Sequence, residues 1–248
     1  MIKLKHLLQE GLKENLVLEF IKNQIQNSKF EHNVYLAGGG VRDDLLGKDI
    51  KDIDLVVANV PDGGIEFANF ITKKLGVYKE NANPIIIPKF GTAKFNLRGV
   101  TYKGQDLSDI DIECVMTRKE QYHTGSRNPD VEFGSLKDDV ERRDFTVNSL
   151  LKDLSNNEII DLTGKGRVDI QKGIIRTTLD PDIIFKEDAL RMLRAIRFTV
   201  KYNWTLPLFM IRAIKNNAPL LETISKERIQ DELNKMLITQ KPDTAIRL

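Results

Sequence analysis

The chain has 248 residues, 41% hydrophobic, 30% charged and 7% aromatic, with a net charge of +2, enough for one large domain or two modest ones with real cores. The near-neutral balance excludes a bulk polycation, so any polyanion site has to come from local clustering. The single cysteine, Cys114, excludes an intrachain disulfide, and three scattered histidines argue against a zinc site, so a reducing cytoplasm is the expected setting.

The N-terminus, MIKLKHLLQEGLKENLVLEFIK, carries charges every few residues. It lacks the apolar run of a signal peptide, and no stretch approaches a membrane span. Residues 4–27 have helical spacing (Leu4, Leu7, Leu8, Leu12, Leu16) and predict a covering helix. Val34-Tyr35-Leu36-Ala37 reads as a short buried strand running into three glycines and a short helix, VRDDLLG. The strand IDLVV follows, then a helix over 64–75 bounded by Gly63-Gly64 and Gly76. Ile85-Ile86-Ile87, 92–97 and 110–116 are further expected strands, with Gly99 and Lys103-Gly104 in turns. The polar stretch 118–130, with its Gly, Ser, Asn and Pro, predicts a mobile loop. A helix near 136–151 and a strand at Ile159-Ile160 complete this portion. Beyond Asp180-Pro181 the pattern is helical only, over 182–202, 207–216, 225–238 and a start after Pro242. Two domains are therefore expected, 1–180 and 181–248.

Five stretches carry chemistry. AGGGVRD (Ala37 to Asp43) is a strand, a glycine turn and a helix start. Glycines permit close backbone approach, N–H groups at a helix start attract phosphate oxygens, and Arg42 adds a forked donor. Asp43 stands where the dinucleotide fingerprint needs glycine, and no GK[ST] follows, so neither that motif nor a P-loop is present. A tight turn packing a helix on a sheet also explains the stretch. In KDIDLVV, Asp52 and Asp54 project to one face of a strand about 7 Å apart. Two carboxylates there repel and resist burial unless a cation satisfies them. Hard divalent ions take oxygen ligands, and a two-metal site holds its ions about 3.5–4 Å apart, which suits such a pair. Asp111 and Glu113 repeat the device in DIDIECV. A solvated strand edge explains either pair taken alone.

ERRDFTVNSLL (Glu141 to Leu151) places Asp144 and Asn148 four apart, on one face of the expected helix. Both can bond a sugar hydroxyl, and Arg143 can reach phosphate; a capped surface helix with Phe145, Val147 and Leu151 inward is the alternative. In FKEDALRMLRAIRF (Phe185 to Phe198), Arg191, Arg194, Arg197 and Lys201 fall within an arc of about 120° on a helical wheel. Met192, Leu193, Ile196 and Val200 form the opposite, apolar face. Asp188 and Arg191, spaced i, i+3, make either a surface pair worth little or a base reader. Cytosine and adenine present an amino donor beside a ring-nitrogen acceptor, whereas guanine and uracil present a carbonyl beside N–H. A carboxylate with a guanidinium therefore matches C and A and mismatches G and U.

In order, AGGGVRD, DID, IECVMTR, ERRDFTVN and EDALRMLRAIRF resemble the class II tRNA nucleotidyltransferase and bacterial poly(A) polymerase family, from about Val34 to about Leu237. The resemblance implies an α+β fold: a polymerase-β-type nucleotidyltransferase head, a mixed β-sheet with helices, followed by an all-helical neck. By motif, Asp52 and Asp54 would ligate two Mg²⁺ ions, and Glu113, in ECVMTR, would be the third catalytic carboxylate. Gly38, Gly39 and Arg42 would hold the triphosphate. Arg143, Asp144 and Asn148 would face the ribose, with Asp144 and Asn148 favouring ribose over deoxyribose. Asp188 and Arg191 match the family's E-D-x-x-R and would read the base, supported by Arg194; ERIQDEL (Glu227 to Leu233) resembles the last neck motif, with a structural role.

The activity implied is CCA or A addition to the 3′ end of tRNA from CTP and ATP. Poly(A) polymerase shares every motif, and a non-catalytic RNA- or nucleotide-binding fragment, or one half of a split enzyme, is the alternative of another class. Three departures accompany the match. VVANVPDGG follows DIDL in place of a Thr-rich stretch, and YHTGSRNPD has Thr124 where the family's loop has Asp. The resemblance implies body and tail domains that grip tRNA beyond Leu248; a missing C-terminal portion, an unusually short relative, or a second polypeptide supplying those domains are the expectations at this point.

Overall fold

In a computed structural model, residues 2–76, 84–121, 130–239 and 241–247 are described. The chain is α+β, and it divides into two compact units. The first gathers residues 1–119, 131–139 and 150–160; the second gathers 120–130, 140–149 and 161–248.

The first unit is built on a seven-stranded mixed sheet. Its strands are β1 (Val34–Ala37), β2 (Ile53–Val57), β3 (Ile85–Ile87), β4 (Thr92–Asn96), β7 (Asp111–Met116), β10 (Leu151–Asp153) and β11 (Ile159–Ile160). They lie in the order β11-β10-β1-β2-β7-β4-β3, and only the β2–β7 pair is parallel. A two-stranded hairpin, β5 (Thr101–Tyr102) and β6 (Gln105–Asp106), extends from the β4–β7 connection. The helices are α1 (Ile2–Ile25), α2 (Gly39–Leu45), α3 (Gly63–Lys74) and α4 (Leu136–Glu141), the last of which ends where the second unit takes over.

Side-chain alternation explains how this sheet presents both a core and a site. In β7 the odd positions Asp111 and Glu113 are exposed, while Ile112, Cys114 and Met116 are buried, the period of two expected of a pleated strand. Burial also raises the Cys114 thiol's pKa, so this cysteine is packing, not a nucleophile. Phe67 of α3 packs edge-on to Phe30 and Phe95, with centroids 5.2 and 6.2 Å away.

Two glycines let α3 lie against the sheet. A Cβ on Gly64 would fall 2.5 Å from the carbonyl oxygens of both Cys114 and Gly91, and backbone does not yield as a flexible side chain would. Gly64→Ala is therefore expected to destabilise the protein by about 2–3 kcal/mol, the upper part of the overpacking range; chemical unfolding checks it, and an unchanged midpoint would contradict the close approach.

The described residues of the second unit are mainly helical. It contains α5 (Gly166–Lys172), α6 (Pro181–Glu187), α7 (Leu190–Tyr202), α8 (Leu208–Asn217), α9 (Lys226–Leu237) and α10 (Pro242–Arg247). The expected apolar face of α7 is real: Ile196 and Val200, with Leu193 against them, pack on Met236 of α9 and Ala245 of α10. The start of α6 is set by Asp180, whose carboxylate accepts the Asp182 N–H at 2.8 Å, with Pro181 in the first turn.

Two expected helices are corrected. The expected helix over 136–151 stops at Glu141; Thr146–Asn148 is a single 3-10 turn and Leu151–Asp153 is strand β10. Asp144 accepts the Phe145 N–H and Asn148 Nδ2 here, local bonds of the kind by which such side chains compete with a helix. The expected helix over 182–202 is broken at Asp188, which is extended (φ −149°, ψ 103°). Its carboxylate accepts the Leu190 N–H at 3.1 Å, ending α6 and starting α7. The expected mobile loop over 118–130 falls largely on residues 122–129, outside the described residues, as does Thr124; its flanks are strands β8 (Arg118–Gln121) and β9 (Asp130–Phe133). No helix among the described residues is long and apolar enough to cross a membrane.

Candidate functional site

The acidic residues of the first unit form a row across one sheet face. Parallel pairing of β2 and β7 sets Asp54 directly beside Glu113, and both are exposed. Asp52, also exposed, lies two residues earlier, just ahead of β2. On the other side of Glu113, the antiparallel register brings Lys94 of β4 opposite it. Lys94 Nζ bonds Asp111 Oδ2 at 2.9 Å, and that bond, with Glu113 nearby, raises the Lys94 pKa.

The donor set fits a hard, oxygen-seeking cation, because every group in the row offers carboxylate oxygen. Among the described residues no three His, Cys, Asp or Glu side chains already converge on one point. Mg²⁺ does not require such a cage: it is held by one or two carboxylates and completes its shell with water and substrate phosphates.

The glycine turn lies at the end of β1. Gly38 has φ 64°, a left-handed conformation that disfavours any side chain, and its N–H bonds the Leu150 carbonyl at 3.3 Å. At Gly39 a Cβ would lie 3.4 Å from Arg42 Nη2, so the guanidinium sits under the turn. Arg42 is buried and forks onto Asp43, Nε to Oδ1 and Nη2 to Oδ2, both at 2.9 Å.

The second unit holds the other six expected residues in a network of buried and half-buried charge. Asp144 is buried and fully engaged: Oδ2 accepts Arg194 Nε at 2.9 Å and Nη2 at 2.6 Å, and Oδ1 accepts the Phe145 N–H at 2.8 Å and Asn148 Nδ2 at 3.1 Å. Burial alone would raise its pKa, but Arg194, Asn148 and the Phe145 N–H outweigh it and hold the carboxyl below its ordinary value. Arg194 also lies 3.8 Å from Glu232 Oε1, and Arg197 Nε donates to Glu232 Oε2 at 2.6 Å. Arg143 Nη1 donates to the Asn148 carbonyl at 3.3 Å.

Asp144, Asn148 and Arg194 are thus brought together as a cluster, although a 3-10 turn and not a helix face does it. Asp188 and Arg191 are not brought together as a pair. Asp188 is bound by Arg228 of α9, Nη2 to Oδ2 at 2.8 Å and Nη1 to Oδ1 at 3.4 Å. Arg191 is buried and donates to Glu187 Oε2 at 2.7 Å and to the carbonyls of Arg142 at 2.7 Å and Ile184 at 3.3 Å.

Sequence reasoning passed over Lys94; it grouped Arg197 with the basic arc and gave Arg228 and Glu232, within ERIQDEL, a structural role without naming the partners of any of the three. A signal existed for Glu232: it is 2% exposed and lies four residues before the buried Met236, an acid on the apolar side of an amphipathic helix, which needs a buried cation.

With this geometry in hand, the comparisons are decisive for family. Residues 34–176 match the family model described as the poly A polymerase head domain. The chain belongs to the poly A polymerase head-domain family. This agrees with the resemblance to class II tRNA nucleotidyltransferases and bacterial poly(A) polymerases drawn from the motifs. A second family model, described as a probable RNA and SrmB-binding site of polymerase A, matches residues 210–248.

Among relatives of this family, a tRNA nucleotidyltransferase of Schizosaccharomyces pombe is 34% identical over 238 residues, covering 93% of this chain and 48% of the relative. The Thermotoga maritima CCA-adding enzyme complexed with tRNA superposes with TM-score 0.73 at 27% identity, over 93% of this chain and 48% of that one. The Bacillus stearothermophilus CCA-adding enzyme in complex with CTP superposes with TM-score 0.69 at 31% identity, over 94% and 50%. The chain therefore spans about half the length of the family members it matches.

Proposed function

We propose that this protein is a template-independent RNA nucleotidyltransferase that adds C, A or both, from CTP and ATP, to the 3′ end of tRNA. The observation that carries the reading is the parallel register setting Asp54 beside Glu113 on the exposed side of β2 and β7, two strands whose other face is buried. It is supported by relatives named as tRNA nucleotidyltransferases and CCA-adding enzymes and by solved complexes with tRNA and CTP.

In this reading, residues 1–180 are the catalytic head and 181–248 the helical neck. The 3′-hydroxyl of the RNA attacks the α-phosphate of the nucleotide, a phosphodiester bond forms, and pyrophosphate leaves with the electron pair of the broken bond. Asp52 and Asp54 would hold Mg²⁺, with Glu113 as the third acid. Bound there, the metal would supply a lowered pKa for the attacking hydroxyl and charge neutralisation for the departing oxygens. Gly38 and Gly39 let the triphosphate approach the backbone, and Arg42 exchanges its Asp43 fork for phosphate oxygens. Asp144, clamped by Arg194, orients Asn148 toward the ribose, and Arg143 serves the phosphate side. Asp188 reads the amino group of C or A, and Arg191 keeps the 142–148 segment in place through its bond to the Arg142 carbonyl. The protein side chains read the base, so no template is needed. A cytoplasmic setting belongs to the same proposal.

The test is incubation of the 248-residue chain with tRNA ending before CCA, Mg²⁺ and labelled CTP or ATP. A ladder of one to three added nucleotides is expected. No incorporation from either nucleotide would overturn the reading. A long A tract on an unstructured RNA 3′ end would instead identify a poly(A) polymerase, the reading that the name of the head-domain family itself favours.

A further inference from the structure

Asp188 needs an external holder, because it sits at the extended break between α6 and α7, where no helical turn limits its side chain. The cation that sequence spacing offers it, Arg191, is committed to Glu187 and to two carbonyls. Arg194 is committed to Asp144. The group that does hold Asp188 is Arg228, forty residues away in sequence on α9. Its fork engages both carboxylate oxygens, and the Leu190 N–H engages Oδ1 as well. A carboxylate offers about four acceptor positions, so these three bonds fix its plane and leave about one position for a ligand. The pair also remains accessible: the side chains of Asp188 and Arg228 are 25% and 36% exposed, whereas that of Arg191 is 10% exposed.

We propose that Arg228 is a positioning residue for nucleobase selection. It holds the Asp188 carboxylate in one orientation, so that the remaining acceptor meets the exocyclic amino group of cytosine or adenine and repels the carbonyl of uracil or guanine. A carboxylate free to rotate would lose that repulsion while still accepting other bonds. The inference rests on the reading of Asp188 as the base reader.

The experiment is equilibrium binding of CTP, ATP, UTP and GTP, each with Mg²⁺, to the wild-type chain and to Arg228→Ala, Arg228→Lys and Arg197→Gln. Selectivity is read as the CTP/UTP and ATP/GTP ratios, and chemical unfolding confirms that each variant is folded. Arg228→Ala is expected to narrow both ratios by about tenfold, the loss of one oriented, charge-assisted contact. Arg228→Lys, which keeps the charge but not the fork, should lie between. Arg197→Gln cuts the neighbouring α7–α9 ion pair without touching Asp188, so it should lower the unfolding midpoint and keep the ratios. Unchanged ratios in Arg228→Ala, or four affinities weakened by one common factor, would overturn the proposal. A wild-type chain that shows the selectivity and the Arg228→Ala change yet incorporates no nucleotide would sink only the transfer reading. A wild-type chain without selectivity would sink the base-reading role of Asp188 and this inference with it.

Discussion

Replacing Asp54 with alanine is expected to lower nucleotide incorporation by about three orders of magnitude while moving the unfolding free energy by less than about 1 kcal/mol. The asymmetry follows from position. Asp54 is exposed on β2 while Ile53 and Leu55 on either side are buried, so the core does not depend on its side chain. It also lies directly beside Glu113, and two like charges in register repel, which removal relieves. In the proposed reaction the same carboxylate is the central donor of the metal-binding row. Losing it removes several kcal/mol of charge stabilisation, and each ~1.4 kcal/mol is tenfold in rate. Incorporation of labelled CTP into tRNA lacking CCA reads the first quantity and guanidinium unfolding the second. Wild-type incorporation by the variant would exclude the row as the reaction centre.

Arg194→Ala is expected to produce the opposite pattern, a large stability loss. Removing one partner of a buried pair strands the other, at a cost of about 3–5 kcal/mol. Because the Arg194 side chain is 34% exposed and water partly screens it, about 2–4 kcal/mol is expected here. The loss also has a pH signature. The folded-state pKa of Asp144 is depressed by Arg194 against the pull of burial. The unfolded chain therefore binds this proton more readily than the folded one. The pair's stabilisation is complete above the ordinary aspartate value, about 3.9, and is lost as pH falls through the lower folded value. In Arg194→Ala burial is opposed only by Asn148 and the Phe145 N–H, so the variant's deficit should be largest near neutral pH and shrink toward pH 4. Urea unfolding of both proteins at pH 7 and pH 4 checks this; an equal deficit at both would show that Arg194 acts through packing alone. Arg194→Lys should recover only part of the loss, since a lysine cannot fork onto Oδ2.

The readable parts of this protein are those where one segment answers to its own environment. Alternation in DIECVM placed Ile112, Cys114 and Met116 inward and Glu113 outward, because a strand packed on one face must obey a period of two. The 3.6-residue spacing on α7 likewise placed Met192, Ile196 and Val200 in a core. The glycine run announced the left-handed Gly38, since few other residues take that conformation without strain. Two helices were read too long for one reason. Asp144, Asn148 and Asp188 carry short polar side chains that can bond either a ligand or the nearby backbone, and periodicity is blind to which they choose.

Partner choice was not legible in the same way. Arg194 is fifty residues from Asp144, Arg228 forty from Asp188, and Lys94 seventeen from Asp111. A helical wheel shows that three arginines share a face, but not that one forks onto Asp144, one bonds Glu232 and one bonds Glu187. By itself the sequence determined the family, the α+β class and which carboxylates face outward, because local periodicity and motif order encode burial and backbone conformation. Only the tertiary structure decided which cation holds which acid. That choice depends on how the segments stack, and a buried charge takes whichever counter-charge the packing sets within about 3 Å of it.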